Sequence, residues 1–233
     1  MTQNIYTIIL AGGSGQRMGG DLPKQFLPLG ERPVIIETIS RFSSLREVTG
    51  VLVVIPEQYR SLTKKILASH SEPKVLDLVT GGASRRESAW NALTARNFSP
   101  DDIILVHDAA RPFVTAVSIR ACIEGASYSG AAGLYLPASD TITEIHDEQV
   151  TAIPDRSSLY YTQTPQAFRY NVLERGHRAA RAHPEKPWTD DVSLVLALGE
   201  PVQAVPGDPQ NIKVTTPFDY ELAQWLIERD PNG

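Results

Sequence analysis

The sequence predicts an α/β fold: a doubly wound, mostly parallel twisted sheet with helices on both faces and one projecting β-hairpin. Three observations predict it. Short β-branched apolar runs alternate with longer amphipathic segments, and strand–helix alternation implies parallel pairing through right-handed crossovers. The first apolar run empties into a glycine-rich loop, and open sheets of this kind bind ligands outside the carboxyl ends of their strands. A single segment, residues 137–165, breaks the alternation.

Taken in order, Ile5–Leu10 reads as the first strand, Pro33–Phe42 as a helix and Gly50–Ile55 as a strand. Glu57–Ser69 reads as a helix, Val75–Val79 as a strand, Arg85–Ala95 as a helix and Ile103–His107 as a strand. Thr115–Ser127 follows as a helix and Ala131–Leu136 as a strand. Within the irregular segment, Asp140–Ile145 and Gln149–Ile153 form two strands around the polar turn His146-Asp147-Glu148. That hairpin is either an oligomerisation arm or an extra edge hairpin of the same sheet. His183–Pro187 is a proline-rich loop between two helices. Thr189-Asp190-Asp191 reads as the N-cap of a helix over Val192–Leu198. Val202–Val205 is a further strand, Asn211–Thr216 a short strand carrying Lys213, and a last helix starts near Pro217. No repeat, linker or low-complexity tract divides residues 1–233, so a single domain is expected.

Composition narrows the class. Of 233 residues, 42% are hydrophobic and 21% charged, as in ordinary globular proteins. The net charge of −5 argues against a general nucleic-acid partner, which needs a basic face. The one cysteine, Cys122, excludes an intrachain disulfide and reads as a small buried residue on a helix. The amino terminus lacks a basic leader, and no apolar run approaches a membrane span. A cytoplasmic protein without membrane association is expected.

Three loops after strands carry chemistry, and all three should converge on one rim. Leu10-Ala11-Gly12-Gly13-Ser14-Gly15 leads to Arg17 and, behind Pro23, Lys24. Glycines let backbone N–H groups approach an anion closely, and the two cations add full charge. The pattern is neither a Walker A loop nor the dinucleotide fingerprint, whose third glycine is Met18 here. Gly81-Gly82 opens a second loop leading into a helix with Ser88, Arg85 and Arg86. Ser88 suits either a ligand or the helix backbone; Arg85 and Arg86 suit a phosphate, although arginines at helix starts are more often solvated. The third loop is His107-Asp108-Ala109-Ala110-Arg111-Pro112. Asp108 suits a substrate hydroxyl or a metal; alternatively it caps the next segment with Arg111 as ionic partner. Lys213 lies between apolar neighbours and faces a different side from them, either the site or solvent. Zinc and serine-hydrolase signatures are missing from the sequence.

Together these motifs resemble the 2-C-methyl-D-erythritol 4-phosphate cytidylyltransferase family over Ile5 to about Leu226. The resemblance also rests on Asp140-Thr141-Ile142, Asp155 to Leu159, Gln163-Thr164-Pro165-Gln166, Thr189-Asp190-Asp191 and Asn211 to Thr215. It implies a Rossmann-like sheet of the nucleotidyltransferase type, with CTP as co-substrate and a divalent cation, usually Mg²⁺, whose ligands the residues do not reveal. It implies that Arg17, Lys24, Arg156 and Lys213 are catalytic. It places Leu10, Ala11, Gly12, Gly13, Ser14, Gly15, Gly82, Ser88, Asp108 and Ala109 around CTP. The polyol phosphate would meet Asp108, Arg111, Arg156, Thr164, Thr189 and Lys213. A homodimer is implied, the 137–165 arm lending Arg156 to its partner. The Leu10–Gly13 spelling also resembles the sister family that makes CDP-ribitol from ribitol 5-phosphate. Thr189–Asp191 and Arg156–Leu159 favour the methylerythritol family.

Overall fold

A computed structural model describes residues 3–13, 22–183 and 185–229. Strand β1 spans Ile5–Leu10, followed by the short strands β2 (Pro28–Leu29) and β3 (Arg32–Pro33) and helix α1 (Val34–Ser43). Next come β4 (Gly50–Ile55), α2 (Arg60–His70), β5 (Val75–Thr80), α3 (Arg85–Thr94) and β6 (Ile103–Asp108). Helix α4 (Ala116–Ser129), β7 (Ala131–Pro137) and the hairpin β8 (Glu144–His146) and β9 (Gln149–Ala152) follow. The chain closes with β10 (Tyr160–Arg169), α5 (Tyr170–Arg181), α6 (Asp191–Leu196), β11 (Gln203–Pro206) and α7 (Pro217–Ile227).

Seven strands form one sheet in the order β11-β7-β10-β6-β1-β4-β5. Parallel ladders join β1 to β4 and β6, β4 to β5, and β7 to β11. Only β10 runs against its neighbours, β6 and β7. This strand is the main element that periodicity did not reveal. Proline inside a run argues against a central strand, and β10 contains Pro165. The register shift between Gln163 and Gln166 takes Thr164 and Pro165 out of the β7 ladder, and pairing with β6 starts only at Gln166. The missing proline N–H therefore removes no ladder bond. The expected strand around Lys213 does not form; the segment is irregular, tied by Val214 N–H to the Ala110 carbonyl at 2.8 Å.

Alternation along the strands builds two cores. Ile103 and Leu105 of β6 face one layer with Ile35, Ile39 and Phe42 of α1 and Ile119, Cys122 and Ala126 of α4. Ile104 and Val106 face the other, with Ala89, Ala92 and Leu93 of α3, Leu173 of α5 and Val192 and Val195 of α6. Each such aliphatic side chain contributes roughly 1.5–3 kcal/mol through burial. The same alternation holds to the end of β6: His107 packs on Phe42 of α1 and Asp108 turns to Arg85 of α3. Cys122 is buried as expected, and burial pushes its thiol up to about 12.

The hairpin β8–β9 is separate from the main sheet. Asp147 and Glu148 at its turn both have positive φ, 49° and 64°, which matches the right-handed twist of a tight hairpin. Its apolar Ile145 and Val150, with the following Ile153, are exposed. No helix among the described residues is long and apolar enough to cross a membrane.

Gly125 in α4 packs on β7, where a Cβ would lie 2.9 Å from the Cβ of Ala132. Gly→Ala inside an exposed helix normally stabilises by up to about 1 kcal/mol. Here the sign should reverse, and we expect Gly125→Ala to lower stability by about 1–3 kcal/mol through overpacking. Urea unfolding of the two proteins measures it.

Candidate active site

From β1 the chain builds outward through β4 to β5, then returns past β1 to β6. The sheet order thus reverses between β1 and β6, and a crevice opens there at the carboxyl ends. A cavity of about 310 Å³ fills it. Leu10–Gly13 at the end of β1, Gly82–Arg85 and Ser88 after β5, and Asp108–Ala110 at the end of β6 line it, with Lys24, Gln25 and Lys213. The three loops do converge on one rim.

Asp108 is the only carboxylate among the described lining residues. Its Oδ2 meets Lys213 Nζ at 2.6 Å and its Oδ1 meets Arg85 Nε at 3.4 Å. Burial pushes its pKa up, but Arg85 and Lys213 outweigh burial and hold it well below the usual carboxylate range. Arg85 in turn donates from Nη1 to Asp191 at 2.6 Å. Arg85 therefore corrects the expectation that helix-start arginines are solvated: it is partly buried between two carboxylates. Arg111 is not the ionic partner of Asp108; it donates to the carbonyls of Asn211 at 2.7 Å and Thr162 at 3.4 Å.

The backbone of Asp108 is fixed from behind. Its N–H donates to Thr164 Oγ1 at 3.1 Å, and Thr164 lies 3.1 Å from His107 Nδ1. His107 Nε2 faces the Arg111 carbonyl at 3.0 Å. A carbonyl only accepts, so the proton sits on Nε2 and Nδ1 accepts from the Thr164 hydroxyl. His107 is fully buried against Phe42, their rings 4.8 Å apart. Burial pulls its pKa down to about 4, so it is neutral.

Side-chain amides and hydroxyls hold the glycine loops. Gln25, almost fully buried, donates through Nε2 to the Ala11 carbonyl at 2.8 Å and the Gly13 carbonyl at 3.3 Å. It ties the entry of the first loop to the short 3-10 turn Lys24–Phe26, from which Lys24 lines the cavity. Ser88 Oγ accepts from Gly82 N–H at 3.1 Å, and Ser84 caps α3 by accepting from Glu87 N–H. A Cβ at Gly81 would stand 3.2 Å from Ser88 Oγ, so the close packing favours glycine. Buried Val214 anchors the Lys213 segment under α7, whose N-terminus is closed by a Thr216–Asp219 capping box. Of the two directions open to Lys213, the structure selects the cavity.

Leu10, Ala11, Gly12, Gly13, Lys24, Gly82, Ser88, Asp108, Ala109 and Lys213 thus come together. Ser14, Gly15 and Arg17 lie outside the described residues. Thr164 and Arg111 sit behind Asp108 rather than on the cavity wall. Thr189 is exposed near the start of α6. Arg156 is on the arm, exposed, and donates to the Ser139 carbonyl at 2.8 Å, away from the cavity of its own chain. Gln25 and Arg85 also line the cavity: the sequence offers Gln25 only as the neighbour of Lys24 and leaves Arg85 open between a phosphate and solvent. The available signals were Gln25's place beside Lys24 and Arg85's place directly after the second glycine loop.

A glycine-rich crevice at the point where a mostly parallel sheet reverses order, lined by Lys24 and by one carboxylate that a lysine and an arginine hold, defines a nucleotide-binding α/β protein. Comparison with known families narrows this. The family model for 2-C-methyl-D-erythritol 4-phosphate cytidylyltransferase matches residues 5–229. The chain is 42% identical to the enzyme of that name from Symbiobacterium thermophilum, over 97% of this chain and 94% of that one. It is 38% identical to the one from Syntrophotalea carbinolica over 97% of both. The solved 4-diphosphocytidyl-2C-methyl-D-erythritol synthase of Anaerococcus prevotii superposes with a TM-score of 0.84 at 28% identity, covering 97% of each chain. The Thermus thermophilus cytidylyltransferase superposes at 0.78 with 32% identity, over 97% of this chain and 100% of that one. The chain belongs to the 2-C-methyl-D-erythritol 4-phosphate cytidylyltransferase family.

A pH dependence follows from His107. The folded state keeps it neutral with a pKa of about 4, below the unfolded value near 6.5. The unfolded chain therefore binds more protons between those values, and stability is complete above about pH 6.5 and falls as pH drops towards 4. We expect a loss of roughly 3 kcal/mol across that window. His107→Gln should flatten it, as read by urea unfolding midpoints at successive pH values.

Proposed function

We propose that the chain transfers CMP from CTP to 2-C-methyl-D-erythritol 4-phosphate, giving 4-diphosphocytidyl-2-C-methyl-D-erythritol and pyrophosphate. The family match across residues 5–229 carries this reading, and the cations gathered at the β1–β6 crevice supply the chemistry it needs. A phosphate oxygen of the polyol attacks the α-phosphorus of CTP in line. The new P–O bond forms as the bond to the β-phosphate oxygen breaks, and that oxygen leaves with the electron pair on pyrophosphate. The attacking oxygen is already ionised at neutral pH, so no general base is required. Two anions must meet, and catalysis consists of positioning and charge neutralisation.

In this reading the loops at Leu10–Gly15 and Gly82–Ser88 hold CTP together with Ala109. Lys24 and Arg17 neutralise charge developing at the α-phosphorus. Lys213, steadied by Asp108, orients the attacking phosphate, and Arg111, Thr164 and Thr189 shape the polyol end. Mg²⁺ binds through one or two protein carboxylates when substrate phosphates supply its other ligands. Among the described lining residues Asp108 is the only carboxylate, and Arg85 and Lys213 already engage its two oxygens, so the substrate phosphates would supply most of the ion's ligands; the ion would neutralise triphosphate charge.

The exposed apolar residues Ile145, Val150, Ile153, Tyr160 and Tyr161 support a homodimer in which the arm carries Arg156 to the partner's site. The substrates are small molecules, and the reading places the enzyme in the cytoplasm without nucleic-acid or membrane partners.

Incubation with CTP, Mg²⁺ and either methylerythritol phosphate or ribitol 5-phosphate tests the reading. Faster pyrophosphate release with methylerythritol phosphate is expected; faster release with ribitol 5-phosphate would overturn it. Lys24→Ala should lower kcat by roughly 10²–10³-fold while the far-ultraviolet spectrum is kept. Sedimentation at micromolar protein should show a dimer, and Ile145→Asp should shift it to monomer.

A further inference from the structure

Asp191 lies outside the cavity wall, with a side chain only 1% exposed, yet both its oxygens are engaged. Oδ1 is 3.0 Å from His177 Nε2 and Oδ2 is 2.6 Å from Arg85 Nη1. Arg85 continues to Asp108 at 3.4 Å, and Asp108 to Lys213 at 2.6 Å. One row of polar groups thus runs from α5 through α6 and α3 to the end of β6 and out to the cavity. The distances along it are unequal. Arg85 is held tightly by Asp191 and loosely by Asp108, while Asp108 gives its short contact to Lys213.

Stability alone does not explain the row. Burying ions carries a desolvation penalty of several kcal/mol each, and replacing a buried pair by apolar side chains is often neutral or stabilising. The guanidinium is also left with Nη2 buried and without a partner among the described residues. An arginine placed for stability would satisfy that donor. Nor does α6 depend on the Asp191 charge. Asp190 caps the helix by accepting from Ser193 N–H, and Gln166 Oε1 accepts from the N–H groups of Asp191 and Val192 at 3.1 and 3.2 Å.

We propose that Asp191 is a positioning residue for the transfer reaction: by drawing Arg85 onto itself, it leaves Asp108 to hold Lys213 at the cavity. Without the Asp191 charge, Arg85 turns fully to Asp108. A planar guanidinium pairs with both oxygens of one carboxylate, and Lys213 is displaced. The inference rests on the cytidylyltransferase reading, and it is tested with whichever polyol phosphate the parent protein accepts. An error in substrate assignment therefore appears in the parent, and an error here only in the ratio of variant to parent.

The decisive experiment is a cycle of Asp191→Asn, Lys213→Met and the double variant in steady-state turnover. Asp191→Asn should lower kcat about tenfold and raise KM for the polyol phosphate, with KM for CTP changed less than about threefold. In the Lys213→Met background the same change should have almost no further effect, because the two residues act in series. Local damage to α6 would instead multiply the two losses. Parent-like turnover of Asp191→Asn, or an equal loss in both backgrounds, overturns the proposal. Should Asp191→Asn not fold, His177→Phe takes its place in the cycle. It should lower kcat about threefold in the parent and leave Lys213→Met unaffected, and parent-like turnover again overturns the proposal.

Discussion

A carboxylate at the end of a buried strand is an unfavourable thing to build, and the site is organised around making Asp108 tolerable. Its neighbours Val106 and Leu105 are in the core. Burial pushes the Asp108 pKa up; Arg85 and Lys213 outweigh it and hold the carboxylate ionised. Its backbone is pinned through Thr164 and His107, and His107 is kept neutral by the apolar layer of α1. The charge of Asp108 fixes where Lys213 can stand, and Lys213 and Lys24 together give the cavity its positive edge. If that one carboxylate were lost, Lys213 would lose its ionic partner and Arg85 would keep only Asp191.

The fold supplies the positions and the loops supply the donors. Reversal of strand order between β1 and β6 opens the crevice, and parallel strands bring the glycine loops after β1 and β5 to the same edge. Gln25 then holds the carbonyls of Ala11 and Gly13 where the first loop begins, and Ser88 accepts from Gly82 N–H in the second, so these described groups are fixed by the chain itself. Preorganised donors suit a reaction between two anions, where the barrier comes mainly from charge and alignment. The same economy explains why few side chains at the cavity are acids or bases in the proton-transfer sense. The work is electrostatic, and neutral His107 takes part only by holding Thr164 behind Asp108.

Most of the sheet and the three rim loops were legible along the chain because strand periodicity and glycine clusters are local signals. Ile5–Leu10, Gly50–Ile55 and the β6 run stand where their β-branched residues indicated. β10 was hidden because Pro165 reads against a strand, and only the register shift beside it shows how the ladder survives. The direction of Arg85 was hidden for a different reason. At a helix start, an arginine facing solvent and one facing Asp108 and Asp191 have the same local sequence; the partners are 23 and 106 residues away.

The sequence alone established the fold class, the glycine loops, the family and the candidate residues Lys24, Ser88, Asp108 and Lys213. These follow from residue type and spacing, which the chain carries locally. Tertiary structure decided which way Lys213 points, which arginine partners Asp108, and that Thr164 and Arg111 stand behind the carboxylate rather than on the cavity wall. Those outcomes depend on burial and on charges brought together from distant segments. A side chain's partner is set by the sheet order and by the layer it faces, and neither is written in its neighbours.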